Sequence, residues 1–160
     1  MATHRIRSAG ILLVHNAVLL VKIKDETGVY WIPPGGGFEE GDISTKGCLK
    51  REFKEEAGID VIVGDLICVR EFLETTADRY NAEFFYHIID FSGIPNTENL
   101  KGLNDEDIIQ GVEWVPVEKL FSIRTYPSDI SEMVKAIKQK HYSLHLGSYI
   151  QGNDETTDYL

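Results

Sequence analysis

The stretch Arg51-Glu52-Phe53-Lys54-Glu55-Glu56-Ala57-Gly58-Ile59 sets three carboxylates and one arginine in six positions, shortly after the glycine run Gly35-Gly36-Gly37. Carboxylates this close repel one another, and their pKa values rise unless they share a cation. An all-oxygen donor set suits a hard divalent ion of the Mg²⁺ type. Each helical residue advances about 100°, so with Glu52 at zero, Glu56 lies roughly 40° to one side and Glu55 roughly 60° to the other. One helical face therefore carries all three. Leu49, Phe53 and Ala57 form an adjacent apolar stripe suited to packing on a sheet. Lys50 and Lys54 fall on the far side, and Arg51 flanks the acidic face, within reach of a charge-assisted bond to one carboxylate. A solvated helix laced with Glu–Lys pairs has a similar pattern, so the helix alone does not decide its role.

The preceding residues decide it. Trp31-Ile32-Pro33-Pro34-Gly35-Gly36 leads into Gly37-Phe38-Glu39-Glu40-Gly41-Asp42, and then into the acidic helix. Together these segments resemble the signature of the Nudix hydrolases: G, five residues, E, seven residues, then R-E-U-x-E-E-x-G-U with U apolar. Gly36 takes the first glycine, and Arg51, Glu52, Phe53, Glu55, Glu56, Gly58 and Ile59 fill the second half. The chain departs from the pattern twice. Asp42 stands for the first glutamate, and eight residues, Ile43 to Lys50, separate it from Arg51 where seven are usual. An insertion inside the helix would rotate everything after it by about 100°. Because Arg51 to Gly58 keep their spacing, the irregularity belongs at Asp42–Thr45, with Ser44 or Asp42 as N-cap.

The scaffold reading is consistent with this. The 160 residues suffice for one domain with a sizeable core, and 42% apolar with 26% charged residues is a globular composition. The expected organisation is a single domain over residues 1–152 with a flexible acidic tail at 153–160. No apolar run is long enough to span a membrane, and the N-terminus lacks a secretory pattern. Cys48 and Cys68 suggest no disulfide framework, so a reduced cytoplasmic setting is expected, with Cys48 as buried filler. A net charge of −10 argues against a general nucleic-acid binder, so no nucleic-acid partner is expected. It also requires local cations for an anionic substrate, and Lys22, Lys24, Arg70 and Arg79 are the candidates.

Strands are expected at Ile6–His15 and Ala17–Lys24, turning at His15-Asn16, then at Tyr30–Ile32, Val61–Glu74, Ala82–Phe91 and Gly111–Val115. The acidic helix should run from Thr45 to Ala57 and stop at Gly58. A polar loop covers Ser92–Asp107, a helical turn Val117–Phe121, and a second helix Ser128–Lys138 presents Ile130, Met133, Val134 and Ile137. This order suits a mixed sheet with helices on both faces. The resemblance implies the same class: an α/β/α sandwich with a mixed central β-sheet.

The resemblance further implies a metal-dependent pyrophosphohydrolase. The Gly35 carbonyl and Glu52, Glu55 and Glu56 would bind metal, Mg²⁺ first and Mn²⁺ as the alternative. Arg51, Glu52 and Glu55 would serve catalysis, with Glu106 as a loop acid from Asn104-Asp105-Glu106-Asp107. Gly36, Gly37, Arg70 and Tyr80 would contact substrate, a small nucleotide or nucleoside diphosphate derivative, and a homodimer is compatible. No proline lies between Gly58 and Pro95, so the downstream proline of ADP-ribose-cleaving relatives is missing. Two other readings stand beside this one. A non-catalytic nucleotide-binding or regulatory module draws on Asp42 and the extra residue; an isoprenoid-diphosphate isomerase would need a catalytic cysteine that cannot be placed.

Overall fold

The computed structural model describes residues 3–150 and 156–157. It begins with two long strands, β1 (Thr3–Val14) and β2 (Ala17–Asp25). Between them, His15 and Asn16 both take positive φ, 48° and 60°, the two-residue turn whose twist matches the flanking strands. Then come β3 (Gly28–Ile32), β4 (Gly35–Gly37), helix α1 (Thr45–Ala57), β5 (Asp60–Glu74) and β6 (Arg79–Ser92). A 3₁₀ turn at Glu98–Leu100 precedes β7 (Ile109–Pro116), a second 3₁₀ segment (Val117–Ser122) and α2 (Ile130–Gln139). The expected elements all occur; the acidic helix has the expected bounds and the other ends move by at most three residues. The glycine run itself forms the short strand β4, which the expected strands do not include. Its backbone pairs antiparallel with Arg7–Ala9 although it has no side chains to show a strand pattern.

The sheet is mixed, as expected. Among the described residues it has seven strands, with β1 parallel to β6 and antiparallel to β2 and β4. β6 pairs with β5, and β2 carries β3 on one side and β7 on the other. Successive strand residues face opposite layers. Leu12, Tyr86 and Ile88 pack with Leu49, Phe53 and Ala57 of α1. Their neighbours Ile11 and Phe85 pack with Ile130, Met133, Val134 and Ile137 of α2. The result is an α/β/α sandwich. At its C-terminal end, Tyr149–Ile150 pairs with Thr156–Thr157 as β8 and β9. The rest of the expected 153–160 tail lies outside the described residues. No helix among the described residues is long and apolar enough to cross a membrane.

Helix α1 begins where the inserted residue is accommodated. Ile43 is exposed and takes φ +65°, so the extra residue occupies a left-handed step outside the helix. Ser44 is the N-cap, accepting from the Gly47 amide at 3.0 Å. Gly58 ends the helix at φ +69°, a conformation that suits glycine. The register of Arg51 to Glu56 is therefore undisturbed.

Candidate active site

α1 sets Glu52 and Glu56 against the glycine strand β4. Phe53, fully buried between them, fixes the rotation of the helix on the sheet. Gly36 is where the two elements meet: a Cβ there would stand 2.3 Å from Glu52 Oε1. The Gly35 amide donates to Glu56 Oε2 at 3.1 Å. These residues open on a cavity of about 600 Å³, whose walls include Gly35, Gly36, Gly37, Glu52, Glu55 and Glu56.

Arg51 organises the rim. Its Nε and Nη2 donate to Asp42 Oδ1 and Oδ2 at 2.8 and 3.0 Å, a bidentate pair. Its Nη1 donates to Glu52 Oε1 at 2.9 Å and Glu55 Oε2 at 3.2 Å, and Nη2 also reaches the Gly37 carbonyl at 2.9 Å. Asp42 additionally accepts from the Glu39 amide at 2.7 Å. The shorter acid and the longer spacing are thus absorbed together: Asp42 still clamps the arginine.

The electrostatics are uneven. Burial pushes the Glu52 carboxyl up, with Arg51 opposing it. Burial and the charge of Glu52 push Glu56 well above the usual carboxylate range, opposed by the Gly35 amide. Glu56 has no ion pair among the described residues. Asp42 goes the other way, because its bonds to Arg51 and Glu39 outweigh burial. The Cys48 thiol lies beneath the glycine strand, 3.7 Å from the Gly36 carbonyl, and is pushed up to about 12 by burial and by Asp42 and Glu52. That is a protonated filler, as the sequence suggested.

The other expected site residues scatter. Glu106 is exposed and spends Oε2 on the Gly102 amide at 2.8 Å; its neighbour Asp105 lines the cavity instead and adds to the negative field on Glu56. Tyr80 is exposed, bonded to Glu71, and lines neither this cavity nor the next. Arg70 lines an adjoining cavity of about 450 Å³, where it pairs with Glu83 at 3.1 Å. The expected neutralising cations are elsewhere: Lys22 lies over Trp31 and near Glu113, and Arg79 lies near Glu74. The cations that line the acidic cavity are Arg5 and Arg7. Strand alternation in Arg5-Ile6-Arg7 was the available signal, since it places both on one face of β1.

The adjoining cavity is half apolar. Ile32, Pro33, Phe72 and Phe85 are among its lining residues. Arg124 also lines it, with its guanidinium 4.9 Å from the Tyr30 ring centroid and 5.2 Å from that of Tyr126. The Tyr30 hydroxyl donates to Asp25 at 2.8 Å, and burial together with that carboxylate pushes its pKa up to about 12. Arg7 and Tyr30 line both cavities, so the two adjoin.

The NUDIX domain model matches residues 4–137. The chain belongs to the Nudix family of hydrolases. Solved structures agree on the fold. The solution structure of the E. coli ORF135 protein is 22% identical with a TM-score of 0.68, covering 88% of this chain and 94% of that one. The MutT NUDIX hydrolase from Burkholderia pseudomallei is 23% identical, TM-score 0.68, with 82% and 98% covered. The MutT protein from Bacillus halodurans is 22% identical, TM-score 0.64, with 96% and 94% covered. No curated protein sequence matches the chain. Nudix hydrolases generally need divalent cations and act on small nucleotide derivatives.

The Nudix helix fits such a cation by its donor chemistry. Glu52 and Glu56 are buried carboxylates held near each other with a single arginine, bonded to only one of them. Two like charges in that position favour a hard cation or a proton. Among the described residues no three Asp, Glu, His or Cys side chains converge into a ligand shell. Arg51 Nη1 stands between Glu52 and Glu55, and Glu56 turns toward the Gly35 amide.

Proposed function

We propose that this Nudix hydrolase is a metal-dependent pyrophosphohydrolase that cleaves a phosphoanhydride bond in a nucleoside-diphosphate-linked or nucleoside triphosphate substrate. The observation that carries this reading is Glu56: a carboxylate buried beside Glu52 that holds, among the described residues, one hydrogen bond and no ion pair. A buried charge in that state calls for a cation. Glu52, Glu55 and Glu56 with the Gly35 carbonyl would hold Mg²⁺ or Mn²⁺, whose chemistry is to polarise phosphorus and lower the pKa of attacking water.

The chain supplies the rest. Arg51, fixed by Asp42, orients the Glu52 and Glu55 carboxylates. The diphosphate lies in the larger cavity against Gly36 and Gly37, whose lack of side chains lets it approach the backbone. The nucleoside occupies the half-apolar cavity at Tyr30, Phe72 and Tyr126, suited to a planar ring. Asp105 is the loop acid within reach of a water proton. A cytoplasmic setting suits the two free cysteines.

A nucleotide panel incubated with Mg²⁺, using the full chain and its Glu56→Gln variant, tests the reading. Turnover abolished by the substitution supports it. Tight nucleotide binding with no turnover by the unaltered chain would favour the non-catalytic module instead.

A further inference from the structure

We propose that Arg5 is a phosphate-binding residue of this site, an assignment that rests on the hydrolase reading above and extends it to a residue outside the Nudix signature. β1 carries Arg5 and Arg7 on one face, and both line the cavity that holds Glu52 and Glu56. Their states differ sharply. Arg7 is spoken for: its Nε donates to Glu83 Oε2 at 2.8 Å, and Glu83 Oε1 takes Arg70 at 3.1 Å. Arg5 is half-buried, and among the described residues it has no hydrogen bond and no ion pair, although a guanidinium carries five N–H donors.

The surrounding acids do not satisfy it. Glu52 and Glu55 are engaged by Arg51, and Glu74 is 4.0 Å from Arg79. The row of the sheet on which Arg5 sits is unsatisfied at a second point. In the parallel β1–β6 register Arg5 faces Asn81, which is 1% exposed and whose Oδ1 has no partner. Two residue pairs further along, on the same face, Arg7 faces Glu83 and the row is closed.

Space has been kept for this side chain. A Cβ on Gly37 would stand 2.8 Å from Arg5 Nε and 2.9 Å from Nη2, so the guanidinium lies against the glycine strand one residue from the contact between Gly36 and Glu52. Burial, with repulsion from Arg7 and Arg79, opposes its charge, and Glu52 and Glu74 favour it. An uncommitted guanidinium placed beside buried carboxylates is the complement of an anion that arrives there with a metal. The Arg fork matches the oxygens of a phosphate. A di- or triphosphate chain lying along β4 would meet Arg5 first and Arg7 at the mouth of the nucleoside cavity.

Isothermal titration of the full chain with inorganic pyrophosphate in Mg²⁺ decides the matter. Arg5→Gln should weaken pyrophosphate binding about tenfold or more, and Arg5→Lys should recover part of the loss. Mn²⁺ binding, followed by electron paramagnetic resonance, and the thermal midpoint should stay as in the unaltered chain, because Arg5 holds no other group in place. Equal pyrophosphate affinity in the unaltered chain and Arg5→Gln overturns the assignment. So does a lowered midpoint together with weakened Mn²⁺ binding, which would make Arg5 a structural residue. The hydrolase reading fails separately, if the unaltered chain turns over no member of the nucleotide panel. The pyrophosphate comparison does not depend on turnover.

Discussion

Gly36 and Glu52 are in contact across the junction of β4 and α1, with room between them for a hydrogen and not for a methyl group. A Cβ on Gly36 would stand 2.3 Å from Glu52 Oε1 and 2.5 Å from Cδ. Gly36→Ala should therefore swing the Glu52 carboxylate out of the cradle and away from Arg51. Because the carboxylate is the flexible end of a side chain, the fold should survive. The expected result is a kcat lower by on the order of 10²–10³, the scale of losing one preorganised charge-stabilising group, with a circular dichroism spectrum like that of the unaltered chain. Full activity in the alanine variant would show that the position of Glu52 is not critical.

The bidentate bond from Arg51 to Asp42 should matter to both stability and turnover. Its bonds hold the Asp42 carboxyl below its ordinary value, so the linkage has a definite sign. The stabilisation is present above the unfolded pKa of about 3.9 and is lost as pH falls through the lower folded value. Asp42→Asn should cost on the order of 2 kcal/mol in urea denaturation at pH 7, and the difference should shrink toward pH 3. Activity should fall about 10–100-fold, as for other groups that orient metal-binding side chains. A variant equal to the unaltered chain at pH 7 would mean the pair is incidental.

Asp105 lines the acidic cavity, whereas its neighbour Glu106 bonds the Gly102 amide. Asp105→Asn should lower kcat by on the order of 10²–10⁴ if it handles the water proton, and should flatten the acidic limb of the pH–rate profile. Glu106→Gln should leave the profile unchanged, since Glu106 is committed to the Gly102 amide. The reverse outcome would return the role to Glu106.

That pair also shows where the sequence stops being informative. Periodicity placed Leu49, Phe53 and Ala57 against the sheet and the glutamates on another face, because a helix fixes angles between neighbours. It also confined the extra residue to Asp42–Thr45, and the structure takes it up at Ile43. A loop has no such period. In Asn104-Asp105-Glu106-Asp107 nothing local says which acid turns inward; that depends on Leu100 being buried and on the Gly102 amide claiming Glu106. Arg5 and Arg7 were hidden differently. The alternation that faces them inward is local, but the strand they lean on is three glycines, which carry no pattern to betray a strand. Arg70 lies on β5, where bulges between Ile62 and Cys68 break any count of faces along the strand.

At Glu56 a proton and a divalent metal should compete for one buried carboxylate. Its carboxyl is raised by burial and by Glu52, so the folded chain without metal favours the neutral acid. Ionisation then opposes folding as pH rises above the unfolded value of about 4.3. Glu56→Gln, which cannot ionise, should stabilise the metal-free protein in EDTA at pH 8 and have little effect near pH 4. Divalent metal reverses the balance. Mg²⁺ should raise the thermal midpoint of the unaltered chain at pH 8, by about 2–4 °C for each kcal/mol of linkage, and by less as pH falls and protons compete. The Gln variant should lose most of that increment. A Gln variant less stable than the unaltered chain in EDTA at pH 8, yet stabilised equally by Mg²⁺, would mean that Glu56 is a satisfied core residue and the cation is held elsewhere.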